Sequence, residues 1–162
     1  MLFNFADDAA VAGWSAIDDR VMGGVSSSRL RHDVAGHAVF EGVVSLERNG
    51  GFASVRSRPQ DLGVPGGEAF LLQVCGDDQR YKLNLRCDAA QDGVNYQATF
   101  QPPAGVWTEV RLPLGAFSAT WRGRSVPDAA PLDPARLSQL GLVIADGQAG
   151  PFALALRSVG VE

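Results

Sequence analysis

Apolar residues recur at every second position along much of this chain. In Tyr81-Lys82-Leu83-Asn84-Leu85-Arg86 the odd positions are apolar and the even ones polar. That is the pattern of a strand with one dry and one wet face. Asn95-Tyr96-Gln97-Ala98-Thr99-Phe100 alternates the same way, with Tyr96, Ala98 and Phe100 inward. Phe70-Leu71-Leu72-Gln73-Val74 is more continuously apolar and predicts a central strand covered on both faces. Further strands are predicted within 39–46, 52–56, 108–112, 140–144 and 152–159.

Turn-forming clusters separate these runs, among them Asn49-Gly50-Gly51, Pro65-Gly66-Gly67, Gly76-Asp77-Asp78, Pro102-Pro103 and Asp146-Gly147. About eight or nine short strands at this spacing predict an all-β sandwich or jelly roll. At most one short helix is expected. Asp133 is placed to cap it, Pro134 to open it, and Ala135 to Leu140 to form one or two turns. Phe3-Asn4-Phe5 and the closing strand are both apolar and are expected to pack together, so residues 1–162 read as one domain.

Composition agrees with this picture. A 162-residue chain buries roughly 70% of its unfolded surface and needs no disulfide or metal to hold a core. Gly 19 and Pro 9 favour strands joined by many turns. The net charge of −4 opposes nonspecific attraction to nucleic-acid phosphates. No stretch approaches the ~20 apolar residues of a membrane helix, so membrane insertion is not expected. The first residues lack the basic region and apolar run of a signal peptide, and the expected location is the cytoplasm. Cys75 and Cys87 flank a segment that reads as a hairpin turning at Gly76-Asp77-Asp78-Gln79. Such a hairpin sets them too far apart to bridge, so both are read as buried reduced thiols.

Catalytic signatures are missing: there is no Gly-x-Ser-x-Gly elbow, P-loop or His-Glu-x-x-His. His32 and His37 sit in a polar segment beside Gly36 and read as solvated loop residues. The carboxylate pairs Asp7-Asp8, Asp18-Asp19 and Asp77-Asp78 are adjacent in sequence. On a strand such neighbours face opposite ways, so no pair forms a glycosidase dyad alone. The Asp-rich turns leave a structural Ca²⁺ open, although ordinary turn chemistry explains them without one. No cofactor, metal ligand or catalytic residue is expected.

Three segments stand out as candidate binding elements. Trp14 to Ser26 mixes large apolar anchors, a charged pair and the Gly23-Gly24 bend. Asn49 to Arg56 leads from a Gly-Gly turn into a strand on which Phe52, Ser54 and Arg56 share one face. Trp121-Arg122-Gly123-Arg124 sets two guanidinium groups around a glycine. The 14 basic residues comprise a single lysine, Lys82, and otherwise arginine, whose planar fork suits carboxylate and phosphate. One reading is internal pairing, for example Arg20 or Arg56 with Asp19 or Asp77. The other is a ligand groove on the polar sheet face.

An ordered series of pieces resembles the complex I intermediate-associated protein 30 family. It begins with Asp19-Arg20-Val21-Met22-Gly23-Gly24-Val25-Ser26, Phe40-Glu41-Gly42 and Asn49-Gly50-Gly51-Phe52-Ala53-Ser54-Val55-Arg56. It continues through Gly76-Asp77, Arg80-Tyr81-Lys82-Leu83, Tyr96-Gln97 with Phe100, and Trp107 with Leu112-Pro113. Arg122-Gly123-Arg124, Leu140-Gly141-Leu142 and Gly150-Pro151-Phe152 complete it. The chain departs from the pattern in reading Thr120-Trp121 ahead of Arg-Gly-Arg. The resemblance implies a galactose-binding-domain-like jelly roll and a non-enzymatic, chaperone-like role in assembly of respiratory complex I.

The expected function is therefore a non-catalytic binding domain that holds a protein partner, by resemblance a respiratory-complex subunit or assembly intermediate. Its candidate binding residues are Asp19, Arg20, Met22, Gly23, Gly24, Ser26, Ser54, Arg56, Arg80, Tyr96, Gln97, Trp121, Arg122 and Arg124. The loops around Met22 and around Trp121 are the expected interface, since Met, Trp and Arg are typical anchors. The alternative is a carbohydrate-binding module whose polar face carries Arg56, Lys82, Asn84, Arg86, Asn95 and Gln97. The inward parity of Tyr81 and Tyr96 leaves that face short of stacking rings.

Overall fold

The two-residue alternation resolves into two antiparallel sheets with a common core between them. The computed structural model describes residues 1–18, 23–87, 93–121 and 123–162, apart from the Asn49 side chain. Thirteen strands are described: β1 (Phe3–Asn4), β2 (Ser15–Ala16), β3 (Ser27–Asp33), β4 (His37–Val44), β5 (Ala53–Arg56), β6 (Ala69–Cys75) and β7 (Tyr81–Cys87), followed by β8 (Asn95–Phe100), β9 (Trp107–Pro113), β10 (Ser118–Trp121), β11 (Arg124–Ser125), β12 (Leu137–Ile144) and β13 (Gly150–Val161).

A six-stranded sheet runs β3-β4-β13-β6-β9, with β1 paired to β13, and a seven-stranded sheet runs β11-β10-β8-β7-β12-β5-β2. The chain changes sheet between β1 and β2, β2 and β3, β4 and β5, β5 and β6, β6 and β7, β8 and β9, β9 and β10, and β12 and β13. This is a jelly-roll β-sandwich. Phe3 and Asn4 lie opposite Val159 and Ser158 of the closing strand, so the two apolar ends of the chain pack together.

Leu83, Leu85, Tyr96, Ala98, Leu140 and Leu142 line one side of the core, and Phe40, Phe70, Leu72 and Leu154 the other. Each large apolar side chain removed from water contributes about 1.5–3 kcal/mol. Phe40 packs edge-on against Phe152 at 4.9 Å between ring centroids and against Tyr81 at 6.1 Å. The Tyr81 contact joins the two sheets.

Several local expectations change. β6 and β7 belong to different sheets, so residues 76–80 carry the chain across the sandwich instead of closing a hairpin. Gly76 permits this crossing, because a Cβ there would sit 2.5 Å from Pro102. Cys75 and Cys87 are both free thiols, with Cys87 buried and Cys75 only partly so. β6 is not covered on both faces; Leu71, Gln73 and Cys75 are half-exposed between buried Phe70, Leu72 and Val74.

The predicted helix is one 3-10 turn, Pro134–Arg136, whose cap is Asp133 accepting from the Ala135 N–H at 3.0 Å. Leu137–Ile144 is instead strand β12, because Leu140 and Leu142 meet Leu85 and Leu83 across the ladder. Similar 3-10 turns occur at Asp8–Val11, Glu47–Asn49 and Leu114–Ala116. His32 and His37 lie on the paired strands β3 and β4, and a ring nitrogen of His32 is 3.1 Å from the Phe5 carbonyl. Among the described residues no group of three or more His, Cys, Asp or Glu side chains is arranged to hold a metal. No helix among them is long and apolar enough to cross a membrane.

Candidate functional site

Antiparallel register aligns polar outward positions into rows across the seven-stranded sheet. One row runs Ser15, Arg56, Gly141, Asn84, Gln97, Ser118, each opposite the next. A second brings Gln139 opposite Arg86, and Asn95 opposite Thr120, which in turn faces Ser125. The six residues expected on a polar face (Arg56, Lys82, Asn84, Arg86, Asn95 and Gln97) all lie on this one surface, because each alternates with a buried core residue on its strand.

The amides of this face form a fixed chain. Gln97 Nε2 donates to Asn84 Oδ1 at 2.9 Å, Asn84 Nδ2 to Asn95 Oδ1 at 3.1 Å, and Asn95 Nδ2 to the Gly93 carbonyl at 3.3 Å. Asn84 is buried beneath its neighbours. Beside it Gly141 keeps the floor low; a Cβ there would stand 3.1 Å from the Val55 carbonyl and 3.6 Å from Asn84 Cβ. The Arg56 guanidinium makes no ion pair or hydrogen bond among the described residues, so it is not paired with Asp77, one of the two acids the internal-pairing reading offers; Asp19, the other, lies outside the described residues. Burial first, and the like charge of Arg86 second, hold its guanidinium below its ordinary pKa. Lys82 faces Asp146 at 3.4 Å. No aromatic or acidic side chain occupies an outward strand position of this face among the described residues.

Other candidate residues make hydrogen bonds within the protein. Ser54 donates through its N–H to Asp18 Oδ1 at 3.0 Å and through its hydroxyl to the Ile17 carbonyl. Ser28 donates to the same Asp18 oxygen at 2.6 Å. Since Ser28 is on β3 and Ser54 on β5, Asp18 ties the two sheets together at one edge. Ser26 is fully buried; its hydroxyl exchanges hydrogen bonds with the Ser45 carbonyl at 3.2 Å and N–H at 2.9 Å. Tyr96 is buried and donates to the Ala130 carbonyl at 2.6 Å, and burial keeps its hydroxyl above its ordinary pKa. The Arg80 backbone is held through Gln148, which accepts from its N–H and donates to its carbonyl, both at 2.8 Å.

Trp121, 40% exposed, ends β10 opposite Arg124 of β11, with Gly123 at φ 78° in the connecting turn. It shares the parity of Ala119, which lines a groove of about 520 Å³ with Tyr96, Leu114, Phe117 and Val126. Gly23, at φ 88°, and Gly24 precede β3 near the opposite edge, where β2 and Asp18 lie. The order β10-β8-β7-β12-β5-β2 separates those edges by five strand spacings, about 24 Å at ~4.8 Å each. Asp19, Arg20, Met22 and Arg122 lie outside the described residues.

Gln139 and Gly141 are among the parts of this surface that sequence reasoning did not select. Their place follows from the register of β12 between β5 and β7, which no local pattern reveals.

Solved structures share this fold. The family 11 carbohydrate-binding module of a cellulosomal cellulase of Clostridium thermocellum superposes with a TM-score of 0.70 at 14% identity, over 96% of this chain and 92% of that one. The same family's module in complex with a β-1,3-1,4-mixed-linked tetrasaccharide gives 0.67 at 13% identity, with 96% and 92% covered. An agarase gives 0.64 at 13% identity over 98% of this chain and 24% of that one. At such identities the likeness is one of fold. An uncharacterized protein of Schizosaccharomyces pombe is 27% identical over 180 residues, covering 98% of this chain and 82% of that protein. The profile of the complex I intermediate-associated protein 30 family matches residues 3–156. This span takes in both sheets and the polar face, and the chain belongs to the complex I intermediate-associated protein 30 family.

Proposed function

We propose that this chain is a non-catalytic, cytoplasmic binding domain that holds a protein partner during assembly of a complex of the respiratory complex I type. The observation that carries this reading is the family match over residues 3–156. Trp121 and the adjoining groove supply an apolar anchor at one sheet edge, and a half-exposed tryptophan is a typical centre of a protein interface. Tagged full-length chain, used to capture partners in the native host, tests it. The wild-type protein is expected to retain subunits of one respiratory assembly. Trp121→Ala is expected to lose them while keeping its thermal midpoint. The same partner list from both proteins sinks the proposed edge.

A second reading, a carbohydrate-binding module, is favoured by one observation. The modules of similar fold include one in complex with a tetrasaccharide, and this chain carries a row of amides and arginines on its seven-stranded face. The outward strand positions lack the aromatic rings on which sugars stack. Calorimetry with mixed-linkage glucan oligosaccharides decides between the readings: heat that disappears in Arg56→Ala supports the second, and no heat leaves the first.

A further inference from the structure

We infer that the outer face of the seven-stranded sheet holds a site for an oxyanion, a carboxylate or phosphate group, with Arg56 and Arg86 as its cationic donors. Arg56 is half-buried beside Gly141 and Asn84, on β5. Among the described residues its guanidinium has no hydrogen-bond or ion-pair partner. A guanidinium in that position is costly to desolvate unless a counter-charge meets it. Arg86 sits diagonally across Gly141, and its like charge adds to the cost.

Among the described residues, three carboxylates are turned elsewhere. Asp18 is occupied by Ser28 and Ser54, Asp77 by Tyr81, and Glu41 by Arg29 and Arg31. The outward positions of β5, β7, β8, β10 and β12 carry Arg56, Lys82 and Arg86 and no acid among the described residues. A net charge of −4 repels anions at long range. At physiological salt that repulsion is screened beyond about 8 Å, so the two arginines set the potential at the site.

The neighbours suit an oxyanion. Each of the Asn84, Asn95 and Gln97 amide nitrogens spends one N–H inside the amide chain and carries two. The remaining donors are held in place by that chain, so little entropy is lost when a ligand meets them. Gly141 leaves room above the backbone between Arg56 and Asn84, where a side chain would fill the depression. With no ring to stack on, recognition rests on charge and hydrogen bonds, for which the planar Arg fork is suited. The site stands apart from the assembly reading: it predicts binding by the purified chain alone.

The test is calorimetry of the full chain with citrate in one arm and inorganic phosphate in the other. At least one probe is expected to bind at millimolar concentration or tighter, and more weakly as sodium chloride is raised. Arg56→Gln and Arg86→Gln are each expected to weaken it about tenfold or more, the scale of a lost charge-assisted hydrogen bond. Arg111→Gln, which breaks only the exposed pair with Glu162, is the control expected to leave binding unchanged. Arg56→Lys, which keeps the charge without the fork, is expected to fall between wild type and Arg56→Gln. Preference for citrate assigns a carboxylate, and preference for phosphate a phosphate. Heat from neither probe overturns the site. So does binding that survives both Gln variants; each variant's thermal midpoint shows whether it is folded, and either one suffices.

Discussion

The Tyr81 hydroxyl donates to both carboxylate oxygens of Asp77, at 3.0 Å each. Asp77 also accepts from the Ala153 N–H at 2.9 Å and the Gln79 N–H at 3.1 Å. One carboxylate thus fastens the crossing between the sheets to strands in both of them. Burial, with the Asp77 charge behind it, raises the Tyr81 pKa well above its ordinary value, so the phenol remains a neutral donor. Tyr81→Phe is expected to cost about 1.5–3 kcal/mol, the range for a hydrogen bond to a charged group. Urea unfolding measures it; a loss below about 0.5 kcal/mol would show that the contact is not structural.

Asp18 makes a similar prediction at the opposite edge. Asp18→Ala strands the Ser54 N–H in a buried setting and leaves the Ser28 hydroxyl only the Ser54 carbonyl, at 3.2 Å. A buried unsatisfied donor costs about 1–3 kcal/mol. Because the lost contacts tie β3 to β5, amide exchange should speed up most in those two strands. Uniform acceleration across the sandwich would contradict a local tie.

Gly42 is required by a close approach of backbones. A Cβ there would fall 2.0 Å from the Ser27 carbonyl oxygen and 2.8 Å from Ser28 Cα. Neither atom belongs to a flexible side chain, so β3 and β4 must separate to admit a methyl group. Gly42→Ala is expected to destabilise by about 1–3 kcal/mol or more, as overpacking does. A variant as stable as wild type would show that these strands are free to shift.

Acid sensitivity centres on the β3–β4 hairpin. Arg31 meets Asp33 at 3.1 Å and Glu41 at 3.0 Å, and Arg29 meets Glu41 at 2.7 Å. The Ala35 N–H, then Arg31, and more weakly the nearby His37 hold Asp33 below its ordinary pKa. For Glu41, burial pushes upward, but Arg29 and Arg31 outweigh it, and the balance is also below. A carboxyl lowered in the folded state stabilises fully above its unfolded pKa, 3.8 for Asp33 and 4.5 for Glu41. That contribution is lost as pH falls through the folded value. Stability should therefore drop below about pH 4.5, and Arg31→Gln should shrink the drop. Unfolding curves at neutral and acid pH check this; an equal drop in both proteins contradicts it.

Local chemistry made much of the fold readable. Strands such as β7 and β8 carry clean alternation, and their buried and exposed positions follow it. β3 was not legible: Ser27–Asp33 carries a single apolar residue, Leu30, and Asp18 and β4 supply its partners. The hairpin reading of residues 76–80 failed because turn chemistry cannot choose between folding back and crossing over. Gly76 against Pro102 and Asp77 against Tyr81 and Ala153 make that choice, and the Pro102 and Ala153 contacts are long-range. The polar face was visible as a set of residue types. Its centre was not, because Gly141 reaches Arg56 and Asn84 only through the register of β12. Likewise Ser26 and Ser54 look like ligand groups in sequence and serve as internal fasteners in the structure.

The proposed role in assembling a respiratory complex can be tested in the cell. Native electrophoresis with mass spectrometry of the respiratory complexes, in a host with and without this chain, tests it most directly. The account predicts that loss of the chain lowers mature complex I and leaves a smaller sub-assembly behind. Restoring the wild-type chain should rescue it, and restoring Trp121→Ala should not. Complex I of normal size and amount without the chain would contradict the account.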